Sequence, residues 1–347
     1  MCTRLRFFLP LVLSGTSWLF GCSGATPGGP CVDVECSGHG SCEAEDDSAR
    51  CACDEGYEAR DLECILTGSD GDGDGDGDID GDVDVDSDTD GDVDVTPECV
   101  GESVSEGMVL VPAGTFWMGC NSERHFCLPE EDADNIPYHE VYLDAFEIDR
   151  TEVTVSEYRE CAESDECEWP RRGEESNMYE PDRDDHPVNY VSWYDAESYC
   201  SFRGKRLCTE AEWEKAGRGT DGRFFPWGDE VANCSRGVLG AIGLDMCAHG
   251  RTMAVGSRPA GCSPYGALDM IGNVKEWVHD WYSQTYFSES PPENPQGPDE
   301  GVERVVRGFS FFYNVGFVNI LGMVSRAHFL SDDRFFDLGF RCCRSAP

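Results

Sequence analysis

Apolar and polar residues follow a strand-like pattern where the C-terminal part of the chain begins. From Glu140 to Asp149 (EVYLDAFEID) apolar residues recur at about every second position, which is typical of a half-buried strand. The stretch from Met108 to Gly119 (MVLVPAGTFWMG) is more continuously apolar and predicts a strand followed by a turn. We therefore expect β-structure at the start of this region.

Helix starts carry a different signal, in which a Ser or Thr precedes an acidic residue by three positions. The pairs are Thr154 with Glu157, Ser192 with Asp195, and Thr209 with Glu212. In such a pair the hydroxyl accepts a hydrogen bond from the backbone N–H of the acidic residue. Apolar residues after Ser192 share one face, which predicts a helix over 193–203. Many loops separate these short elements, so we expect an α+β domain with little regular secondary structure.

A low-complexity segment precedes this domain. Between Asp70 and Asp94 every second residue is Asp, thirteen in twenty-five positions, so the segment cannot form a core and repels itself. We interpret residues 65–98 as a disordered linker. The repeat D-x-D-x-D-G is also typical of calcium loops, but the Glu that would close such a loop is absent, which favours a solvated spacer.

Composition restricts the compartment and the partners. The 347 residues carry a net charge of −43, so nucleic acid and anionic lipid surfaces would repel the chain. The twenty cysteines show no zinc-type spacing, which favours a secreted, disulfide-rich protein. Residues Cys161 and Cys167 are close enough in sequence to close a small loop. The seven histidines are scattered and have no helical i,i+4 pair, so no histidine metal cluster is predicted.

The N-terminus has the features of an export signal. Arg4 and Arg6 precede an apolar stretch, and Leu19-Phe20-Gly21-Cys22 follows, which resembles a bacterial lipobox. We interpret residues 1–21 as a lipoprotein signal peptide, Cys22 as the lipidated residue and residues 22–30 as a tether. The protein would then be anchored in the cell envelope, at the outer membrane or cell surface. The alternative is an ordinary signal peptide cleaved near Gly21 or Ala25.

A small module with six cysteines follows the tether. Residues 31–64 are too few to bury a stable core and need disulfides, for which spacing alone permits fifteen pairings. The runs GHGSC (38–42) and CACDEGY (51–57) resemble those of an EGF-like module. This resemblance implies the disulfides Cys31–Cys42, Cys36–Cys51 and Cys53–Cys64.

The densest motif runs from His186 to Ala216 (HPVNYVSWYDAESYCSFRGKRLCTEAEWEKA). It resembles the signature of the formylglycine-generating enzyme family, also called the sulfatase-modifying factor family, and Cys208 stands where the family usually has Pro. The runs PAGTFWMG (112–119), FEIDRTEVT (146–154) and FPWG (225–228) also match this family. The resemblance implies that residues 99–347 form a compact fold related to C-type lectins.

The same resemblance implies a calcium site. The run YGALDMIGNVKEW (265–277) matches the family pattern YGLYDMxGNVWEW, which holds a calcium ion in family members. The implied ligands are the side chains of Asp269 and Glu276 and the carbonyls of Gly272 and Val274, a mixture that suits calcium. The alternative is that both carboxylates cap turns or pair with Arg. A second family site would use Asn233 and the Cys234 carbonyl.

The resemblance does not extend to the copper-binding cysteines of the family. Those two thiolates lie between an R-G-G-S motif, here Arg307 to Ser310, and a GFRC motif, here Gly339 to Cys342. Their positions hold Tyr313 and Val318, and no cysteine occurs between Cys262 and Cys342. Soft thiolates suit copper(I), whereas a phenol and an isopropyl group do not. We therefore predict no catalytic residues and no copper, and we expect calcium to be the cofactor.

The remaining cysteines are interpreted as structural. The resemblance implies a disulfide between Cys200 and Cys342, for which Cys343 is the competing partner. A second disulfide of some family members is lost, because Gly217 and Met323 stand at its two positions.

Three functions remain open from the sequence. The first is a surface lipoprotein whose domain no longer oxidises cysteine and binds a polypeptide or glycan. The second is an active oxidase that forms formylglycine in exported sulfatases, and the third is an enzyme of different chemistry in the same cleft. The absent cysteine pair favours the first.

Overall fold

The computed structural model divides the chain into two units, Met1–Asp90 and Gly91–Pro347. It describes backbone and side chains for Cys99 and for residues 107–128, 134–240 and 250–347, and the backbone alone for five short strands between residues 40 and 105. The expected signal peptide, Cys22 and the tether lie outside the described residues, as do residues 67–98 of the expected linker. The first two residues of that linker, 65 and 66, instead belong to a strand of the N-terminal unit, because their backbone pairs with residues 57 and 58.

The N-terminal unit contains two antiparallel hairpins. Strands β1 (Gly40–Glu45) and β2 (Ser48–Cys53) form the first, and β3 (Tyr57–Arg60) and β4 (Glu63–Leu66) form the second. The backbones of Cys42 and Cys51 lie opposite each other across the first hairpin. The three disulfides expected for the EGF-like module involve side chains outside the described residues.

The larger unit combines short strands with short helices, as the α+β prediction requires. Its described strands are β5 (Ser103–Ser105), β6 (Met108–Val111), β7 (Gly114–Met118), β8 (His139–Leu143), β9 (Phe146–Asp149), β10 (Arg206–Leu207), β11 (Lys275–Trp281), β12 (Glu303–Arg307), β13 (Ala327–Leu330), β14 (Leu338–Phe340) and β15 (Cys342–Ser345). Its described helices are α1 (Val155–Glu163), α2 (Trp193–Phe202), α3 (Glu210–Arg218), α4 (Tyr286–Glu289) and α5 (Val315–Leu321).

These strands form three sheets. A five-stranded antiparallel sheet has the order β10-β15-β9-β6-β5, and β7 and β8 form a separate hairpin. A four-stranded sheet has the order β13-β12-β11-β14, in which β11 and β14 are parallel. The last strands of the chain thus lie beside strands from its beginning and middle, which joins distant parts of the sequence.

The single strand expected over 140–149 is two strands in the structure. Val141 and Leu143 are buried at alternate positions, but the next buried side chain in the pattern is Phe146, three residues on. This change of parity at Asp144 and Ala145 lets β8 pair with β7 and β9 pair with β6 and β15. One nearly regular alternation of apolar and polar residues therefore contains two strands that pair with different partners.

All three expected capping boxes are present. The hydroxyls of Thr154, Ser192 and Thr209 each accept a hydrogen bond of 3.2 Å from the backbone N–H of the acidic residue three positions on. Helix α2 ends at Phe202, one residue earlier than expected. Helix α3 is buried along its whole length, so its polar side chains must find partners inside the protein.

Two apolar clusters form the core of this unit. One surrounds Trp213 of α3 and extends to the β7–β8 hairpin, and the other surrounds Trp277 of β11 and includes α1 and α2. Trp277 donates from its indole N–H to the carbonyl of Val191, 3.0 Å away. Among the described residues, the helices are too short or too polar to cross a bilayer.

Candidate functional site

A buried network of charges beneath the loop after β12 fixes the position of that loop. Arg307 donates to Glu210 Oε1 at 2.8 Å and to Glu214 Oε2 at 2.7 Å, and all three side chains are buried. Arg218 also binds Glu214, and Arg326 also binds Glu210. Burial opposes ionisation of Glu214, but Arg307 and Arg218 outweigh burial and lower the pKa of this carboxyl. The network therefore holds the start of the Arg307–Ser310 motif rigidly on α3.

A smaller polar cluster lies directly after this motif. The buried hydroxyl of Ser310 donates to Asp337 Oδ2 at 2.8 Å, and Lys275 Nζ lies 3.2 Å from the same oxygen. The ammonium of Lys275 also faces the rings of Phe329 at 4.8 Å and Tyr313 at 5.6 Å. Because both donors share one carboxylate oxygen, this cluster neutralises the charge of Lys275 and anchors the loop.

Tyr313 lies on this loop, at the first of the two positions where the motif resemblance places copper ligands. Its backbone N–H donates to the Ser310 carbonyl, and its ring packs against Phe309 and Phe317. Burial, together with the charge of Asp337, raises the pKa of the phenol. Tyr313 therefore presents a neutral hydroxyl and an aromatic face to its surroundings.

Val318 lies at the second position, on the inner face of α5. Its side chain is fully buried in the apolar cluster that surrounds Trp213. An isopropyl group in this environment contributes packing and has no atom that can bind a metal.

The cysteines described in the larger unit are all disulfide-bonded. Their partners are Cys99 with Cys262, Cys120 with Cys127, Cys161 with Cys167, Cys200 with Cys342, and Cys208 with Cys343, and Cys234 is also bonded. The Cys161 and Cys200 pairings agree with those expected from the sequence. Cys208, which stands in place of the family's Pro, bonds Cys343, so Cys343 is not the partner of Cys200.

Gly217 and Met323 are in contact, as expected for two positions that hold a disulfide in some family members. A Cβ added to Gly217 would lie 2.1 Å from Met323 Cε, so the Met side chain occupies the space above the glycine. At these two positions, Gly217 in α3 packs against Met323, which follows Gly322 at the end of α5.

Two of the expected calcium ligands lie near the buried Arg341. Glu276 accepts from Arg341 Nε and Nη2, both at 2.7 Å, and from the indole N–H of Trp213 at 2.8 Å. Arg341 also donates to the carbonyl of Leu268 at 2.9 Å. The alternative raised from the sequence, a carboxylate paired with Arg, therefore describes Glu276 in this structure.

Asp269 has the features that a calcium ion would need. It is buried in a left-handed backbone conformation, and Oδ2 accepts from the Gly256 N–H. The buried carboxyl of Glu152 lies beside it and shares a hydrogen bond with Asp269, and no N–H or hydroxyl group of the described residues reaches Asp269 Oδ1 or Glu152 Oε2. Burial and the charge of Asp269 raise the pKa of Glu152. A pair of adjacent buried carboxyl groups offers the oxygen ligands that a hard cation prefers, whereas Glu276 is already paired with Arg341.

The other expected ligands are distributed differently. Gly272 has a φ of 99°, and an added Cβ would meet the Val238 carbonyl at 2.5 Å, so this irregular turn requires glycine. Val274, two residues further on, donates its N–H to Glu152 Oε1 at 3.5 Å. Asn233 is exposed, and its Oδ1 accepts from the backbone and hydroxyl of Ser235. Asn233 thus closes a surface turn.

Several residues of the site were not identified from the sequence. Glu152 and Arg341 lie in matched motifs but carry no local sign that they meet Asp269 and Glu276. Lys275 did carry a signal, because it stands where the quoted family pattern has Trp. A charged residue where the family pattern has a large apolar one indicates a buried partner of opposite charge. In the structure that partner is Asp337.

Comparison with known families gives one match over most of the chain. Residues 95–346 match the family described as the sulfatase-modifying factor enzyme 1-like domain. The formylglycine-generating enzyme of Bos taurus is 30% identical over 280 residues, which cover 68% of this chain and 74% of that enzyme. The formylglycine-generating enzyme of Streptomyces coelicolor is 40% identical over 173 residues, 47% of this chain and 54% of that enzyme.

Other relatives carry different names. The serine/threonine-protein kinase pkn1 of Chlamydia pneumoniae is 35% identical over 218 residues, which cover 58% of this chain but 32% of that kinase. Among solved structures, PvdO from Pseudomonas aeruginosa aligns with a TM-score of 0.57 and 24% identity, over 69% of this chain and 94% of that chain. Treponema denticola variable protein 1 aligns with a TM-score of 0.52 and 23% identity, over 69% and 95%. These structures share the fold.

Proposed function

This chain belongs to the sulfatase-modifying factor enzyme 1-like family, and we propose that its large domain binds a ligand or assists a partner without oxidising cysteine. The observation that carries this proposal is the absence of a thiol pair. The family's copper positions hold Tyr313 and Val318, and every cysteine described in this unit is in a disulfide. Copper(I) needs soft thiolates, and this part of the chain offers none in the reduced state.

The proposal is tested by direct assay of the family reaction. The purified full-length chain is incubated with copper, oxygen and a peptide that contains the sulfatase motif CxPxR, and the peptide is analysed by mass spectrometry. The curated formylglycine-generating enzyme of Streptomyces coelicolor serves as the positive control. We expect the peptide cysteine to remain unchanged. Conversion to formylglycine would refute the proposal and support the alternative, an oxidase that acts on exported sulfatases.

We propose further that the domain is presented at the cell surface. Cys22 would carry the lipid, and the EGF-like module and the Asp-rich linker would hold the domain away from the membrane. The motifs at 19–22 and 70–94 support this arrangement. A Cys22→Ser variant should move from the membrane fraction to the soluble fraction of cells. Unchanged membrane association would exclude the lipid anchor.

We propose calcium as a structural cofactor of the domain. Asp269 would hold it, the irregular turn with the carbonyls of Gly272 and Val274 would contribute, and Glu152 is better placed than Glu276 to supply a second carboxylate. Calcium supplies positive charge that would neutralise the two buried carboxyl groups of Asp269 and Glu152. At a hundred times its Kd, a ligand of the folded state adds about 2.7 kcal/mol to the free energy of unfolding.

The calcium proposal is tested by thermal unfolding of the full-length chain with calcium and with chelator. The difference in melting temperature should be positive for the parent and should vanish in Asp269→Asn. Because the Asp-rich linker is intact in both proteins, the variant serves as a matched control for calcium bound there. Equal calcium effects in both proteins would exclude this site.

A further inference from the structure

An aromatic pocket lies at the end of the β7–β8 hairpin, apart from the copper-site loop. Along β7, Phe116 and Met118 point into the core, whereas Trp117 points outward and is 41% exposed. The Trp117 ring stacks on the ring of Tyr138, with the ring centroids 5.0 Å apart and the planes 20° from parallel. Together the two rings form an aromatic wall of a cavity of about 810 Å³.

The other wall of this pocket is held in a fixed shape. The Cys120–Cys127 disulfide closes a short loop, and the N–H of Cys120 donates to the Asn135 carbonyl at 2.8 Å. Just before the loop, the N–H of Gly119 donates to the buried Glu214 Oε1 at 2.8 Å. These bonds connect the pocket to the charge network under α3. The described part of this wall is therefore held in place before any ligand arrives, which lowers the entropic cost of binding.

The polar groups of the pocket come from the same disulfide loop. Asn121, Ser122 and Glu123 line the cavity, and Ser288 of α4 also lines it. Among the described residues that line it, none is basic, so a phosphate or carboxylate ligand would find no countercharge. Amide, hydroxyl and carboxylate groups instead match a ligand that carries many neutral hydroxyls.

The geometry points to a neutral carbohydrate as the ligand of this pocket. A pyranose ring has one face of C–H groups, which packs on an aromatic ring, and an edge of hydroxyls, which hydrogen-bonds to amides, hydroxyls and carboxylates. The volume lies within the range of about 300–1,000 Å³ that is usual for small-ligand sites. This inference rests on the proposed binding role and gives it a ligand class and a site whose lining does not include Tyr313.

The test uses the full-length chain and four neutral probes: maltohexaose, cellohexaose, mannohexaose and chitohexaose. Binding is measured by calorimetry. We expect at least one probe to bind, and Trp117→Ala to weaken that binding at least tenfold. Trp169→Ala is the matched control, because Trp169 is 49% exposed and lies outside the pocket. This variant should bind like the parent.

A second variant keeps the test valid if Trp117→Ala unfolds. Ser122→Trp places a bulky side chain at the exposed rim without removing a buried group, and it should block the pocket while the melting temperature is retained. The inference is overturned if no probe binds, or if both pocket variants bind sugar like the parent. It is also overturned if gelatin, a polypeptide probe, binds through Trp117 and the sugars do not. If no sugar binds and the CxPxR peptide also remains unreacted, the carbohydrate site is refuted, whereas the proposed non-oxidising role is still supported.

Discussion

At the scale of single residues, the buried charges around Glu214 dominate the stability of the site. Glu214 has Arg218 and Arg307 as partners, and all three are fully buried. Glu214→Gln removes the negative charge that Arg218 and Arg307 share. Breaking a buried ion pair in this way should lower the free energy of unfolding by about 3–5 kcal/mol. Urea unfolding of parent and variant measures this difference.

The control for that measurement is an exposed ion pair of the same kind. Asp184 binds Arg159 at 2.7 Å, but its side chain is 71% exposed. Asp184→Asn should therefore change the free energy of unfolding by less than about 1 kcal/mol. Equal losses in the two variants would contradict the assigned role of the network.

Asp280 makes the stability of the domain depend on pH. Burial, together with the charge of Glu210, raises the pKa of Asp280 from 3.8 to about 8. Between about pH 4 and pH 8 the folded protein therefore binds more protons than the unfolded chain, so this group causes stability to fall as pH rises.

In the parent, Asp280 Oδ2 accepts a hydrogen bond from the Glu210 N–H at 2.8 Å. Asp280→Asn removes the titrating carboxyl group but keeps an oxygen that can accept the same hydrogen bond. Relative to the parent, the variant should gain at least about 1.4 kcal/mol between pH 5 and pH 8.5, the equivalent of one pKa unit. Urea unfolding at several pH values gives both curves. Parallel curves would show that the pKa of Asp280 is not raised.

Much of the site could be predicted where it depends on residues close in sequence or on positions within a recognised motif. The capping hydroxyls followed from spacing, and the contact between Gly217 and Met323 followed from the motif resemblance. The proximity of Glu152 to Asp269, 117 positions apart in sequence, did not follow. Burial creates that interaction, and no local pattern encodes which distant carboxylates will share a buried space.

At the scale of elements, two adjacent disulfides fasten α2 and the start of α3 to the last strand. Cys342 and Cys343 are neighbours in β15, and their partners Cys200 and Cys208 lie at α2 and just before α3. While one of these bonds is intact, the other closes a loop of only about ten residues. While neither is intact, the first bond to form closes a loop of 135 or 142 residues.

This arrangement predicts losses that are not additive. Replacing either cysteine pair with Ala should cost about 3 kcal/mol, whereas replacing both pairs should cost about 7–8 kcal/mol, because loop-closure entropy grows with loop length. Urea unfolding of the three variants under non-reducing conditions measures the coupling. Simple additivity would contradict the shared-loop explanation.

Element boundaries were predicted less well than element types. The helices at Val155, Trp193 and Glu210 begin where their caps indicate. The stretch 140–149 divides into β8 and β9 because their hydrogen-bonding partners differ, and those partners come from other parts of the chain. Pairing with distant strands therefore determines where one strand ends and the next begins, which the local alternation of apolar and polar residues does not specify.

At the scale of the whole molecule, the family assignment rests on residues 95–346, which contain the Tyr313 loop, the expected calcium ligands and the aromatic pocket. The motif resemblance predicted this domain correctly, including the Cys200–Cys342 bond. The lipid anchor at Cys22, the EGF-like pairings and the linker remain predictions from motif and composition. Tyr313 and Val318, which the motif resemblance places at the copper positions, lie in a loop and a helix that the Arg307 network holds.

The most direct test of the non-oxidising role is a copper(I) titration of the parent beside Tyr313→Cys/Val318→Cys, which restores both thiols. The titration is done anaerobically with ascorbate and a competing copper(I) chelator, so that the disulfides stay closed. The parent should remove no copper from the chelator, and the double variant should remove about one equivalent, because two thiolates suit copper(I). If the parent binds one equivalent as tightly as the double variant, the domain has a copper site and the non-oxidising role is wrong.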